Sequence, residues 1–205
     1  MVAIFVLLTF ALIIVIRLYL NARRVTEPVK KITSENAVAP LKYFHPGHTW
    51  IQIEEPSSVK IGIINFVKEL IGKVHDIQFP QKGTLIKQGD VLLTLKHNKR
   101  FITIYSPLSG QIEETQMSLS DPKQENGWLV KLSPSNLTRE VRNLMSSSNG
   151  LIWQDALRMQ LAELFSPKVG PVLQDGGTLI PDFIDHLSDE EWEKIQKVFF
   201  NREIQ

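Results

Sequence analysis

The chain has 205 residues, enough for one packed domain with appendages and too few for two large domains. Its formal net charge is +1, so no strong positive field points to nucleic acid as a partner. It contains no cysteine, which excludes disulfides, thiolate metal ligands and a cysteine nucleophile. Because neither a Gly-x-Ser-x-Gly elbow nor a complete phosphate loop occurs, we predict that the protein is not an enzyme.

The first twenty residues are almost entirely apolar. Residues 2–16 carry no charge, Arg17 interrupts the run, and three further residues complete it. A helix rising about 1.5 Å per residue would here cover roughly 30 Å, the thickness of a bilayer's hydrocarbon core. Arg17 and Tyr19 suit the headgroup interface. We therefore predict a transmembrane helix at residues 1–20. A cleaved signal peptide is the alternative, but no basic segment precedes the run and no small-residue cleavage pattern follows it.

Residues 21–41 are polar, proline-containing and without an apolar period, so we predict a juxtamembrane linker. Basic residues, among them Arg23 and Arg24, are concentrated just after the predicted span, and none precedes it. By the positive-inside rule, the N-terminus lies outside and the rest of the chain on the cytoplasmic face of the cell (inner) membrane, in a single pass. Arg23 and Arg24 would then join the interface residues that contact the lipid bilayer.

Short alternating segments after residue 42 indicate a β-rich region. The predicted strands are residues 51–53, 59–63, 74–79, 91–95, 101–105 and 111–115. A short helix is predicted at residues 65–71, where Phe66 and Leu70 are four residues apart and Gly72 can end the helix. Strand-turn-strand units of similar size occur on both sides of a central hairpin. This arrangement predicts two sheets packed face to face.

The central hairpin has a strongly basic end, with the sequence Lys-His-Asn-Lys-Arg at residues 96–100. Asn98 and Lys99 are predicted at the tip, because asparagine tolerates the positive φ that two-residue hairpin loops require. A basic tip suits an anionic partner or lipid, and it also suits a hairpin end that simply resists edge-to-edge aggregation.

Residues 136–205 are predicted to form a helical extension. Its predicted elements are a helix at 137–145 capped by Ser135 or Asn136, a break at 146–150, an amphipathic helix at 151–165, a loop at 167–177, and a last helix opened by a Ser188–Glu191 capping box. Two interpretations of its large aromatic residues are open. They cap the β region, or they dock onto another subunit, where buried aromatics contribute disproportionately to binding. These residues are Trp153, Phe165, Trp192 and Phe199.

Six short segments resemble, in the same order, landmarks of the glycine cleavage system H-protein, a lipoyl-domain carrier. They are residues 48–51 (His-Thr-Trp-Ile), 59–63, 70–74, 79–83, 105–110 (Tyr-Ser-Pro-Leu-Ser-Gly) and 127–132 (Gly-Trp-Leu-Val-Lys-Leu). No single segment is specific, but six in register are. The resemblance implies a lipoyl-type domain (barrel-sandwich hybrid or hammerhead) at residues 42–135, between the predicted span and the helical extension.

In that family a lysine at the hairpin tip carries lipoic acid as an amide, and the cofactor supplies the chemistry. Counting back from Tyr105, Lys99 falls on this position. The family's Glu-Ser-Val-Lys-Ala is replaced here, so that Lys96 stands where the family has an acid and Arg100 follows Lys99. The resemblance thus implies lipoate on Lys99, while the altered surroundings argue against it.

Two functions remain open. In the first, which we favour because the tip is altered, the chain is an accessory or structural subunit of a larger membrane complex, with other protein subunits as partners and no functional lipoyl arm. In the second, it is a membrane-tethered lipoyl carrier that serves an enzyme on the cytoplasmic face. An efflux adaptor would need a long helical hairpin inserted in the module, and the sequence shows none. The spacing of His45, His48 and His75 fits no compact metal site, and His48 is predicted to pack beside Trp50.

Overall fold

The computed structural model describes residues 41–116, 127–165, 173–174, 178–179 and 183–201. These described residues belong to one compact unit. Within the described ranges, no helix has both the length and the apolar character needed to cross a membrane. Several predictions concern residues outside the described ones: the span at residues 1–20, nearly all of the linker, most of the loop at 167–177, and the interface residues Arg17, Tyr19, Arg23 and Arg24.

Antiparallel strands form most of the described structure. They are β1 (Lys42–His45), β2 (Thr49–Glu55), β3 (Ser58–Ile63), β4 (Asp76–Gln78), β5 (Leu85–Ile86), β6 (Val91–His97), β7 (Arg100–Tyr105), β8 (Gly110–Thr115), β9 (Val130–Pro134), β10 (Leu173–Gln174) and β11 (Thr178–Leu179). One six-stranded sheet has the order β1-β2-β3-β9-β8-β5, and a three-stranded sheet has the order β4-β6-β7. Strands β10 and β11 form a small separate pair.

Helices connect and follow the sheets. They are α1 (Asn65–Ile71), α2 (Leu137–Glu140), α3 (Ser147–Phe165) and α4 (Asp189–Phe199), with two 3-10 helices, η1 (Val141–Asn143) and η2 (Phe183–His186). The described structure is therefore β-rich with C-terminal helices. The β-rich part is the one that the resemblance implies, and the helices follow from the helical signals of the extension.

The core is apolar because alternate residues of both sheets point inward. Ile61 and Ile63 of β3, with Leu95 and Ile104 of the hairpin, are almost completely buried. Phe66 of α1 is also fully buried. Burying one such side chain contributes about 1.5–3 kcal/mol, so this layer supplies most of the driving force for folding.

Several predicted elements of the β region are confirmed. Helix α1 covers the predicted residues and ends at Gly72, whose φ of 59° is in the left-handed region. The hairpin turns through two residues as predicted. Strand β4 is shorter than predicted and stops at Gln78. Pro80 has no backbone N–H to extend its pairing with β6.

The start of the extension differs from the prediction. The helix predicted at residues 137–145 is the short α2 followed by η1, and the Asn136 side chain accepts no capping hydrogen bond. The predicted break at residues 146–150 is wrong, since α3 begins at Ser147. Gly150 lies inside α3 because the helix presses on β1 there. A Cβ atom at this position would lie 2.1 Å from a ring carbon of Phe44.

The helical spacing of Trp153, Leu157, Leu161 and Leu164 predicts the buried stripe of α3, and Leu157 and Leu161 are buried as predicted. At the two ends, Gln154 and Phe165 are buried, while Trp153 and Leu164 are only partly buried. The stripe begins earlier because the helix itself begins earlier, and its first buried position is a glycine that hydrophobic periodicity cannot reveal.

Candidate functional site at the hairpin tip

The β6–β7 hairpin ends in a tight two-residue turn. His97 and Arg100 are the last residues paired in register, which leaves Asn98 and Lys99 as the turn. Asn98 has a φ of 53°, as predicted for this loop. Lys99 is exposed. The backbone therefore presents an exposed lysine at the predicted position.

The side chain of His97 is held at both ring nitrogens. Nδ1 contacts the backbone carbonyl oxygen of Lys73, in the loop after α1. Nε2 lies 2.7 Å from Oδ1 of Asp185, in η2 of the C-terminal extension. His97 is only 3% exposed, and its ring centroid lies 4.9 Å from that of His75. The hairpin end is thus fixed to two other segments through one imidazole.

Arg100, on the opposite strand, binds the same 3-10 helix. Its two terminal nitrogens donate hydrogen bonds to the backbone carbonyl oxygens of Ile184 and Leu187. Its guanidinium also lies 3.8 Å from a carboxylate oxygen of Asp189 and 5.7 Å from the ring centroid of Trp192. The planar guanidinium has several donors in a fixed arrangement, so it can bind two carbonyls at once.

Two amide groups complete the contact. Nδ2 of Asn98 lies 3.4 Å from Oδ1 of Asp185, and Nε2 of Gln196 donates to the carbonyl oxygen of Phe101 at 2.6 Å. We use the term tip clamp for the contacts of His97, Asn98 and Arg100 with residues 184–187. The tip clamp surrounds Lys99 without covering it.

Electrostatics favour a charged carboxylate in the tip clamp. The hydrogen bond from His97 holds the pKa of Asp185 below its usual value, against a smaller opposing effect of desolvation. The hydrogen bond from Asn98 and the nearby charge of Arg100 lower this pKa further. Asp185 is therefore an anion at neutral pH, facing a histidine and an arginine of the hairpin.

Lys96, which stands where the resemblance expects an acid, lies outside the tip clamp. It is exposed and paired in register with Asp76 on one side and Phe101 on the other. The outer face of the hairpin thus presents a cation close to the turn. The hairpin thus has the two-residue turn with an exposed lysine that the resemblance implies. The residue three positions before that lysine is a cation, where the family has an acid.

Comparison with known proteins identifies the family. The family model described as "Glycine cleavage H-protein" matches residues 41–151, more than half of the chain. This chain belongs to the glycine cleavage H-protein family. The predicted resemblance is confirmed over the β region, whereas η2 and α4, which hold the hairpin tip, lie beyond the matched residues.

Three relatives are similar to this chain over about half of its length. The chain is 30% identical over 111 residues to the probable glycine cleavage system H protein of Pyrococcus furiosus, covering 51% of this chain and 83% of that protein. It is 33% identical over 123 residues to the H protein of Hydrogenovibrio crunogenus, covering 56% and 94%. A glycine cleavage system H-like protein of Chlamydia trachomatis is 31% identical over 109 residues, covering 50% and 91%. The solved H protein of Mycobacterium marinum aligns with a TM-score of 0.48 at 22% identity, covering 55% and 94%.

The family carries lipoate on a lysine, which raises the question of whether this hairpin fits the group. The amine of Lys99 is exposed on the expected turn, so an amide could form there. The neighbouring residues do not fit, because Lys96 replaces the acid, and because His97 and Arg100 are bound to the extension. The attachment point is present, but the surface by which an enzyme would recognise it has changed.

The predicted aromatic docking residues pack inside this chain. Phe165, Trp192 and Phe199 are 5%, 9% and 4% exposed, and Trp153 is half-buried against the same core. The rings of Phe199 and Phe66 of α1 pack at a tilt, with centroids 5.4 Å apart. Within this chain the four residues thus pack against its own core. Docking onto another subunit through them stays a prediction.

The histidines considered for a metal site also have other roles. Among the residues that the structure describes, no cluster of potential ligands is suited to a metal ion. His48, which is predicted to pack beside Trp50, contacts the C-terminal extension. Its Nε2 atom lies 2.6 Å from the carbonyl oxygen of Phe199, and its ring stacks on Trp153. Burial lowers the pKa of His48 to about 4, so its ring is neutral at physiological pH.

The residues that define the tip clamp were not found from the sequence. Asp185 lies between Ile184 and His186, with no pattern that marks it as a partner of the hairpin. The capping box of Ser188 and Glu191 is confirmed and places the start of α4 beside the clamp. That signal predicts where a helix begins, but it does not predict which surface the helix covers.

Proposed function

We propose that this H-protein family member is a membrane-anchored accessory subunit of a larger complex, in which the lipoyl-bearing hairpin has become a structural contact. The observation that carries the proposal is the tip clamp. His97 and Arg100, the residues flanking the turn, are bound by the chain's own extension, outside the family match.

The chemistry of the tip supports the absence of a lipoyl arm. An enzyme that attaches lipoate has to grip the turn and bring an activated acyl group to the lysine amine. Here the sides of the turn face η2, and the outer face carries Lys96 in place of an acid. Both changes remove surface or charge that such an enzyme would recognise.

The anchoring part of the proposal rests on the sequence. The apolar run of residues 1–20 and the basic residues that follow it support a single-pass anchor in the cell (inner) membrane, with the H-protein-like domain on the cytoplasmic side. A tether raises the local concentration of the domain next to one fixed partner. This suits a resident subunit better than a carrier that shuttles between enzymes.

A second candidate function is a membrane-tethered lipoyl carrier. It is favoured by one specific observation, the exposure of Lys99 on a positive-φ turn at the family's attachment position. The two candidates differ in what they require of this amine. A carrier needs it, whereas a structural subunit needs only the fold around it.

The substitution Lys99→Arg separates the candidates, because it keeps the charge of the tip and removes the acylation site. In cells carrying the full-length variant, the accessory role predicts an unchanged size of the native membrane complex and unchanged cellular function. Loss of function in Lys99→Arg with an intact complex would establish the carrier instead. Alkaline carbonate washing of the same membranes tests the anchor, and release of the chain into the wash would contradict it.

A further inference from the structure

The protonation state of His97 follows from its partners. The carbonyl oxygen of Lys73 can only accept a hydrogen bond, so Nδ1 has to donate to it. A neutral imidazole has only one N–H, and its other nitrogen is an acceptor. Nε2 faces a carboxylate oxygen of Asp185 at 2.7 Å, and an ionised carboxylate also only accepts. Both ring nitrogens can therefore donate to these two acceptors only when the ring is an imidazolium cation.

We propose that the tip clamp is proton-dependent: it is closed while His97 is an imidazolium and opens when Nε2 loses its proton. In the neutral ring, Nδ1 keeps its proton for Lys73 and the Nε2 lone pair points at the Asp185 carboxylate. An attractive charge-assisted hydrogen bond is thereby replaced by repulsion between a lone pair and an anion.

The groups around His97 act in opposite directions. The Asp185 carboxylate of η2 and the Lys73 carbonyl stabilise the imidazolium. His75, whose ring is 4.9 Å away, opposes the positive charge when it is itself protonated. Arg100, paired with His97 across the hairpin, also opposes it, but Asp189 of α4 lies 3.8 Å from the Arg100 guanidinium and offsets part of that charge.

The contact of Arg100 in the tip clamp does not depend on pH, whereas the contact of His97 does. The guanidinium stays charged throughout the physiological range and binds two backbone carbonyls at any such pH. It holds η2 near the hairpin even when the imidazole is neutral. His97 adds the part of the contact that responds to pH. Opening therefore breaks the contact between His97 and Asp185, while Arg100 and the buried aromatic contacts of α4 keep the extension attached.

The inference does not depend on whether Lys99 carries lipoate. It concerns the residues on either side of Lys99 and the freedom of the turn that presents it. With the clamp closed, Asn98 and both strand ends are tied to residues 184–187. With the contact between His97 and Asp185 broken, the turn is accessible from its His97 side, while its Arg100 side stays bound. The device thus couples local pH to the exposure of the hairpin tip.

Nuclear magnetic resonance on the full-length chain tests the proposal. The ring nitrogens of His97 report their own protonation, and amide exchange, corrected for intrinsic rates, reports the protection of residues 183–187. We expect both ring nitrogens to be protonated in the closed state. Protection should then fall by about tenfold as Nε2 loses its proton, the change expected for the loss of one charge-assisted hydrogen bond. Amides of α1, in the buried core, serve as the internal reference and should stay constant.

Two variants make the result specific. Asp185→Asn removes the carboxylate and should abolish the pH step in protection, because an amide can pair with a neutral imidazole. His75→Asn is the matched control and should keep the step. The proposal is overturned by a neutral His97 in the protected state, by constant protection of residues 183–187 while His97 titrates, or by a step that survives in Asp185→Asn.

Discussion

The C-terminal extension meets the H-protein-like domain at two places with contrasting chemistry. At the aromatic seam, defined here as His48, Phe66, Trp153, Phe199 and Phe200, rings pack closely. The His48 and Phe200 centroids lie 4.8 Å apart, and Phe66 is fully buried. At the tip clamp, the contacts are hydrogen bonds from three hairpin side chains to two backbone carbonyls and one carboxylate.

The aromatic seam attaches the extension to the β domain, and the tip clamp determines which hairpin residues the extension contacts. Apolar burial is strong but has little directional preference, so the aromatic seam attaches the extension without selecting particular hairpin residues. The tip clamp is directional and depends on the identity of His97 and Arg100. Its polar side chains can therefore be exchanged one at a time to test each contact. The extension is thus held by one contact and adjusted by the other.

The largest effect is expected at the aromatic seam. Phe66→Ala removes a ring that is fully buried between the β domain and α4, so it loses both apolar burial and packing. We expect the free energy of unfolding to fall by about 3–5 kcal/mol, measured by urea titration. Phe101→Ala is the matched control, because that ring is 56% exposed and should change stability by less than about 0.5 kcal/mol. Equal losses in both variants would contradict the assignment of the seam.

At the tip clamp, Arg100→Ala should have a smaller effect. It removes two hydrogen bonds from a charged donor and leaves the carbonyls of Ile184 and Leu187 without this partner. We expect a loss of about 1.5–3 kcal/mol, with Arg100→Lys between the variant and the wild type, because an ammonium cannot bind both carbonyls in the same geometry. Lys99→Ala next to it should be nearly neutral. If Lys99→Ala lowered the stability as much as Arg100→Ala, the effect would not come from the contacts of Arg100, and the tip clamp would be contradicted.

A third prediction concerns the way α3 fixes the start of the extension. Alanine normally favours a helix over glycine by about 1 kcal/mol. At residue 150, however, a Cβ would lie within 2.1–2.8 Å of three Phe44 atoms. Gly150→Ala should therefore destabilise the chain by about 1–2 kcal/mol in thermal or urea unfolding, since overpacking outweighs the gain in helix propensity. Asn149→Ala, at an exposed neighbouring position, should be neutral or slightly stabilising. Stabilisation by Gly150→Ala would show that α3 does not press on β1.

The smallest effect is expected at the capping box that begins α4. Ser188→Ala removes the acceptor of the Glu191 amide. It should cost about 1 kcal/mol and loosen the first turn of α4, beside the clamp, in hydrogen exchange. Glu190→Gln in the same turn lies outside the capping box and should lose only a few tenths of a kcal/mol through the helix dipole. Equal effects on exchange in the two variants would argue against a specific cap.

Strongly acidic pH should also open the tip clamp, through protonation of Asp185. The pKa of Asp185 is lowered in the folded chain, chiefly by the hydrogen bond from His97. A lowered carboxyl pKa means that its stabilising contribution is present above the usual aspartate range and is lost as pH falls through the folded value. Protection of residues 183–187 should therefore fall at strongly acidic pH in the wild type but not in Asp185→Asn, as measured by hydrogen exchange. An acid step of equal size in both chains would assign it to another carboxylate.

Much of the β domain could be predicted because its signals are local. The strand alternation, the Gly72 helix stop and the Asn98 turn each depend on a few adjacent residues. The Ser188 capping box was predictable for the same reason. The position of Lys99 on the hairpin followed from the order of the family landmarks.

The rest depends on contacts between distant residues. From the sequence alone, Gly150 indicates a break in the helix. In the structure it lies inside the helix, against the side chain of Phe44. His48 was placed beside Trp50, its sequence neighbour, although it contacts Trp153 and Phe200 of the extension. Asp185 is 88 residues from its partner His97, and a lone aspartate between apolar and polar residues gives no sign of that pairing.

In the accessory role proposed above, the hairpin tip of this H-protein family member is a clamped structural element without a lipoyl arm. The mass of the Lys99-containing peptide, from protein purified from its native membrane, tests this directly. We expect an unmodified Lys99 throughout the native pool. A lipoyl amide on Lys99 in that pool would contradict it and establish the chain as a carrier.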